Sequence, residues 1–476
     1  MTAPMTLPPE TLAAFEALVG PSNVLTAPGD MATYAEDGRG TRGEPGLVVR
    51  PGSSEEVRAV LALAFARGLR VVPQGARTGL VAAGLAQSGE GQLLLSLERL
   101  KGTIAIDPVN RSVTLGAGTL LSELNAAAEE HGLFFPIDLG ADPSIGGMIG
   151  ANTGGARLLR YGDLRKNLMG LELVTAEKTP RILQLGSALW KNNAALCLQG
   201  LVAGSSGALG VVTSATLALS PKPVNTVTAL LALPHPEVAL DILARMEDAF
   251  GTLLTAFEGI SRPALSAAIR HVPSLRDPFG GEVPGYCVLL ELSGGRAVAA
   301  EWLEETLAET LEPLFEDGRI ADTRIDRGTA LWAVRHAVPE GLRRSGKVVA
   351  CDIAMKRGDV MRFRTEIAER LAAIAPQLEL HDFGHIGDGG LHCNCVWPES
   401  AGPYDPAVAE AARAAIFTSV VEDYTGSFSA EHGVGPANYA WYERFTPPDV
   451  LALSGALQAL IAPMPFGRVD FGPPGG

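Results

Sequence analysis

The stretch HDFGHIGDGGLHCNC, residues 381–395, holds three of the chain's eight histidines and two of its five cysteines. These residue types bind metal ions or carry redox chemistry. Asp388-Gly389-Gly390 is a turn signal, and beyond it Leu391, Cys393 and Cys395 alternate with His392 and Asn394. That is the two-residue period of a strand with one apolar and one polar face. The pattern predicts a hairpin that brings His385 and His392 within reach of each other. Two imidazoles so placed can share a divalent ion, with zinc the usual partner of nitrogen ligands joined by a carboxylate. The cysteines, on the opposite strand face, are expected to be buried backing rather than ligands. His381 occupies no position of the pattern and reads as a surface or hydrogen-bonding residue.

Three glycine-rich stretches carry a different chemistry: VVPQGARTGL (71–80), PIDLGADPSIGGMIGANTGGARLLRYG (136–162) and LVAGSSGALGVVTSATL (201–217). Glycine lets backbone N–H groups converge on an anion and lets a pyrophosphate approach the main chain. The first stretch lacks the Lys-Ser/Thr of a Walker loop and the glycine spacing of a Rossmann turn, and by itself it reads as a plain turn. The second, with Ser144, Asn152 and two glycine pairs, suits an extended dinucleotide.

Elements must position these groups. Short β-type runs (LVVRP, RVVPQG, QLLLSL, SVTLGAG, GLELVTA, GVVTSATLALS) alternate with amphipathic helical windows such as SSEEVRAVLALAFARG, which opens on a Ser53/Glu56 capping-box pattern. At SPKPVNTV the texture changes to apolar strands and long helical runs near 236–250 and 297–314. The reading is α+β, with domains at 1–222 and 223–429 and a terminal segment, 430–476, that carries a helix at 448–461.

Composition sets bounds on function. A chain of 476 residues exceeds one ordinary hydrophobic core and predicts two or three folding units. A net charge of -15 without basic runs excludes a general grip on nucleic acid or anionic membrane. Five scattered cysteines point to a reducing compartment. No apparent secretory signal and no uninterrupted run of about 20 apolar residues complete the expectation of a cytoplasmic protein without a transmembrane segment.

The three glycine stretches, FGHIGDGGLHCNC and SAEHGVG, in this order, resemble the FAD-linked D-2-hydroxyacid dehydrogenases. That family includes the D-2-hydroxyglutarate and D-lactate dehydrogenases and the FAD subunit of glycolate oxidase. The resemblance covers nearly the whole chain and implies a two-subdomain FAD-binding domain of the vanillyl-alcohol-oxidase (PCMH) type, with an α+β cap built on a ferredoxin-like antiparallel sheet. By resemblance Pro73, Gln74, Gly75, Ala76, Arg77, Thr78, Gly79 and Leu80 hold the FAD pyrophosphate. Pro136, Asp138, Leu139, Gly140, Ser144, Gly146, Gly147, Ala151, Asn152, Gly154, Gly155 and Tyr161 line the rest of the cofactor. Gly204, Gly210 and Val212 lie near its adenine side, and Asp470 completes the list. With no histidine in the 71–80 loop, the FAD is expected to be non-covalent.

The resemblance further implies Glu431 as the carboxylate that joins His385 and His392 at the metal, and His432 as the active-site histidine. A histidine near neutral pKa can take the hydroxyl proton while hydride leaves Cα for flavin N5. Arg335 stands where the family clamps the substrate carboxylate, and its fork suits that task. Asn394, on the face of His392, can bond a substrate oxygen. The implied reaction is oxidation of a D-2-hydroxyacid of the D-2-hydroxyglutarate or D-lactate type to the 2-oxoacid, with an electron-transfer flavoprotein or a quinone as acceptor and a homodimer as the candidate assembly. Ala350, Pro339, Ala76, Arg77, Ser206 and Asp470 depart from the family's residues. They leave room for an alternative, a non-catalytic or altered-substrate member acting as an FAD-binding subunit of a larger oxidase.

Overall fold

Strands buried on both faces read as continuous apolar runs rather than as alternation, and three such runs, Leu47–Val49, Val71–Gln74 and Leu93–Ser96, form a parallel ladder. Val24–Leu25 extends this ladder antiparallel to Leu47–Val49. The structure is a computed structural model that describes residues 7–87 and 91–473. Helix Ser54–Ala66 links two of the ladder strands and buries Val57, Val60, Leu61, Ala64 and Phe65. Its start is half of a capping box: Ser53 accepts from the Glu56 N–H at 3.1 Å, but the Glu56 carboxylate accepts from Gly52 rather than from Ser53.

A second, five-stranded antiparallel sheet runs in the order Ala105–Asp107, Ser112–Gly116, Val211–Ala218, Leu168–Val174, Ile182–Gly186. Each sheet has its own core, one centred on Phe15, Leu47, Leu61 and Leu93, the other on Val113, Phe135, Ile145 and Leu217. By packing, the two sheets belong to one compact unit of residues 1–154, 163–221 and 431–476.

The other unit, residues 155–162 and 222–430, is built on a single sheet of eight strands. Seven follow the order Asp322–Asp326, Asn225–Leu233, Tyr286–Gly294, Leu254–Ser261, Glu379–Gly384, Gly390–Pro398, Gly346–Val349, and Asp352–Ala354 also pairs with Gly390–Pro398. Neighbouring strands of this sheet pair antiparallel. Helices Arg262–His271 and Ala330–Ser345 pack on one face over Ala256, Ile260, Cys287, Leu289 and Phe383. Among the described residues no helix is long and apolar enough to cross a membrane.

Candidate active site

The three glycine stretches, the second of them up to Gly154, meet within the first unit through backbone hydrogen bonds and close approaches to side chains. Gly75 follows the strand Val71–Gln74, and a Cβ there would overlap Ser144 Oγ, so only glycine lets the first loop pass the second. Ser144 caps helix Ile145–Ala151 by accepting from Gly147 N–H at 3.3 Å. The third stretch is tied to that helix by Gly204 N–H to Ile149 O at 2.9 Å and Ser206 N–H to Gly150 O at 2.8 Å. A Cβ at Gly207 would stand 3.1 Å from Pro73 Cγ, which closes the circuit back to the first loop. Gly79 and Gly140 face open space, the room a phosphate or ring edge needs to reach backbone. The residues present therefore fit an extended dinucleotide.

Other expected cofactor residues hold the loops in shape. Gln74 is buried and donates to Tyr34 O at 3.0 Å and Gly84 O at 2.8 Å. Asn152, in the left-handed region at φ 53°, donates to Asp163 Oδ2 at 2.8 Å and accepts from Arg165 N–H at 2.9 Å. Arg77 takes φ 65° and lies over the Tyr34 ring, its guanidinium carbon 5.3 Å from the centroid. Val212 is buried in the core of the five-stranded sheet, and Asp470 is exposed, accepting from Gly472 N–H at 3.0 Å. Gly155 and Tyr161 belong to the second unit. The SAEHGVG segment returns onto the same loops: a Cβ at Gly433 would lie 3.5 Å from Ser206 Oγ and 3.8 Å from Ala151 O, and Ala437 N–H bonds Val81 O at 3.2 Å.

In the second unit the hairpin forms as its alternation requires. Strands Glu379–Gly384 and Gly390–Pro398 pair with His381 opposite Asn394 and Phe383 opposite His392. Leu391, Cys393 and Cys395 are buried while His392 and Asn394 are half-buried, and both cysteines are free thiols. The rings of His385 and His392 are 5.0 Å apart between centroids. Gly384, at φ 116°, is held to glycine because a Cβ would press on His392 Cδ2 at 2.9 Å. Of the two expectations for His381, a surface position is overturned, since it is 4% exposed and burial lowers its pKa, while a hydrogen-bonding role is met by Nε2, 3.4 Å from Glu379 Oε2. As the third residue of a strand in mid-sheet, it has one face turned to the core.

Each hairpin histidine carries a carboxylate at Nδ1. Glu258 Oε1 is 2.8 Å from His385 Nδ1, and Asp352 Oδ1 is 3.3 Å from His392 Nδ1. Glu258 also accepts from Arg335 Nε at 2.6 Å. Burial alone would raise the Glu258 pKa, but His385 and Arg335 together hold it well below the ordinary carboxylate range. Arg335 is itself buried, with its guanidinium 4.7 Å above the Phe383 ring. Arg343 and Arg344, by contrast, are exposed and paired with Glu340. Asn394 Oδ1 accepts from Cys351 N–H at 3.3 Å.

The chain reaches its last expected site residues directly from this sheet, because Ala430 N–H bonds Asp352 O at 3.2 Å and Glu431 and His432 follow it. One ligand atom each from Asp352, His392, Glu431 and His432 lie within 4.8 Å of one another. That donor set of two imidazoles and two carboxylates fits a divalent ion of the zinc type. It takes in His392, Glu431 and His432 from the sequence reading and adds Asp352; His385 adjoins it through His392. The sequence offered no sign of Asp352 or Glu258 as partners, since both lie far along the chain from the histidines they meet.

Residues 45–182 match the FAD binding domain family, and residues 222–464 match the FAD linked oxidases, C-terminal domain. D-2-hydroxyglutarate dehydrogenase of Xanthomonas citri pv. viticola is 35% identical over 428 residues, covering 88% of each chain. The mitochondrial D-2-hydroxyglutarate dehydrogenase of Rattus norvegicus is 32% identical, over 96% of this chain and 84% of its own. Among solved structures, p-cresol methylhydroxylase with substrate bound matches with TM-score 0.73 at 14% identity over 95% of this chain and 94% of that one. An alkyldihydroxyacetonephosphate synthase matches with TM-score 0.71 at 15% identity, over 98% of this chain and 85% of that one. These two likenesses speak to the fold alone. The glycine loops and the hairpin thus sit in a PCMH-type α+β chain, and this protein is an FAD-dependent oxidoreductase that belongs to the FAD-linked D-2-hydroxyacid dehydrogenase family.

Proposed function

We propose that the chain oxidises a D-2-hydroxyacid of the D-2-hydroxyglutarate or D-lactate type to the 2-oxoacid, with FAD as hydride acceptor and a divalent metal, zinc by its donor chemistry, at the hairpin. The observation that carries this reading is the gathering of Asp352, His392, Glu431 and His432 donor atoms within 4.8 Å, in a chain whose relatives are D-2-hydroxyglutarate dehydrogenases. Of this set His392 and Glu431 would hold the ion, joined by the adjacent His385, and the ion would supply a Lewis acid for the substrate's hydroxyl and carboxylate oxygens.

His432 takes the hydroxyl proton. The carboxylate of the substrate meets Arg335: Glu258 engages Nε, which leaves the terminal amino groups as the donors for it. Asn394 bonds a further substrate oxygen. Electrons leave to an electron-transfer flavoprotein or a quinone, and the reaction belongs to the cytoplasm.

Anaerobic mixing tests the proposal. D-2-hydroxyglutarate or D-lactate should bleach the flavin absorbance of the purified protein, the L-enantiomers should not, and chelation of metal should slow the bleaching. If the flavin keeps its colour with both D-acids, this reading of the function is wrong.

A further inference from the structure

Both hairpin histidines face a carboxylate at Nδ1, and one of these carboxylates, Glu258, also meets Arg335. Glu258 stands between Ala256 and Ile260 on the sheet face that carries the core beneath helices Arg262–His271 and Ala330–Ser345. It is 1% exposed. A charge at such a place is costly unless it is paired and hydrogen-bonded, and a sheet needs none there for packing. Its two oxygens divide the work: Oε1 meets His385 Nδ1 at 2.8 Å and Oε2 meets Arg335 Nε at 2.6 Å.

We infer that Glu258 is a positioning residue that sets two groups at once, the proton tautomer of His385 and the direction of the Arg335 fork. A carboxylate 2.8 Å from Nδ1 favours a proton on that nitrogen, which leaves the ring lone pair on Nε2, the nitrogen a metal can use. The same carboxylate stops Arg335 from rotating about its long stem, and Phe383, 4.7 Å below the guanidinium, fixes the plane. Because both groups depend on one carboxylate, metal affinity and substrate affinity should fall together when it is changed. Asp352 Oδ1 stands farther from its histidine, 3.3 Å from His392 Nδ1.

This inference rests on the proposed roles of His385 and Arg335, and the experiment separates the two. Flavin-loaded enzyme is stripped of metal and titrated with Zn²⁺ against a chromophoric chelator, and kcat and KM are measured for the D-2-hydroxyacid that bleaches the flavin. Glu258→Gln keeps the shape but turns an amide N–H toward one of two N–H donors. It should weaken zinc binding by about 10–100-fold and raise KM, with flavin content unchanged. The double variant Glu258→Gln/His385→Ala should bind zinc no more weakly than His385→Ala alone, because Glu258 acts through that ring.

Wild-type zinc affinity in Glu258→Gln, alongside loss of zinc in His385→Ala, overturns the inference and leaves the site reading intact. Unchanged zinc in His385→Ala overturns the site reading itself. Should Glu258→Gln fail to fold, Glu258→Asp keeps the charge but withdraws it: weakened zinc binding at full flavin occupancy supports the inference, and unweakened binding refutes it.

Discussion

The glycine loops of the first unit and the histidine hairpin of the second are assembled by opposite means. Around Gly75, Gly147, Gly204 and Gly207 an added Cβ would meet Ser144, Arg165 or Pro73, backbone hydrogen bonds tie the stretches together, and side chains matter chiefly by being absent at the glycines or by tying a loop down, as Gln74 and Asn152 do. Around His385 and His392 the backbone is an ordinary antiparallel ladder, and the chemistry depends on side chains brought from other strands and a helix. A site made of backbone is damaged by adding atoms. One made of side chains is damaged by removing them.

The largest effect should come from removal at the hairpin. His392→Ala takes away a ring of the zinc-type donor set, the one that stands 3.3 Å from Asp352 Oδ1. Turnover should fall by at least about 100-fold, the upper end of what loss of a mere supporting partner costs. Metal content, measured on the same preparation, should fall with it while bound flavin stays near wild type. Flavin lost in step with metal would erase the division drawn between the two regions.

Addition at the glycine loops comes next. Gly75→Ala places a methyl group where Ser144 Oγ already stands, an overpacking worth about 1–3 kcal/mol, or roughly tenfold in flavin binding per 1.4 kcal/mol. The flavin-to-protein ratio should drop with metal binding unchanged. Ser144→Gly in the same chain should restore part of the flavin, since it removes the atom in the way. Failure of that rescue would mean that Gly75 is required for its backbone or its ligand rather than for loop clearance.

What the sequence revealed follows the same division. Glycine loops are legible because spacing along the chain carries their meaning, and the hairpin is legible because Asp388-Gly389-Gly390 and the alternation after it are local signals. The helix start at Ser53 was legible for the same reason, although Glu56 bonds Gly52 in place of Ser53. Glu258 and Asp352 were not, because a carboxylate on a remote strand announces nothing until sheet order brings it beside a histidine. Arg335 stood out only through the family resemblance, and nothing in the sequence marked it as one half of a buried pair or His381 as a buried residue. Pairings between distant strands are fixed by the whole sheet, which no short window of sequence contains.

Glu291 sharpens the contrast from the side of stability. It is a buried carboxylate of the same sheet, but it is held by an arginine, a threonine and a tryptophan: Arg157 at 2.9 and 3.0 Å, Thr255 at 2.7 Å and Trp332 at 2.8 Å. Burial raises its pKa, but these partners, Arg157 foremost, bring it below the ordinary 4.5. A carboxylate lowered in the folded state adds stability that is complete above the unfolded value and is lost as pH falls through the folded one. Glu291→Gln should therefore cost about 1–3 kcal/mol at neutral pH and should flatten the loss of thermal stability as pH falls below 4.5. Melting curves across that range would show it. A wild-type slope in the variant would put the acid sensitivity elsewhere.

The smallest effect should come from the residues that first looked like chemistry. Cys393 and Cys395 are fully buried on the face of Gly390–Pro398 opposite His392 and Asn394, so neither can turn to the polar face without a one-residue slip of the strand. Cys393→Ala should cost about 1 kcal/mol for one buried group, with metal content, flavin content and turnover close to wild type. Metal analysis decides the point: were zinc lost with the thiol, the strand would have to present both faces to one ion. The register of Phe383 opposite His392 and Asp382 opposite Cys393 does not allow that, because successive residues of a paired strand leave the sheet on opposite sides.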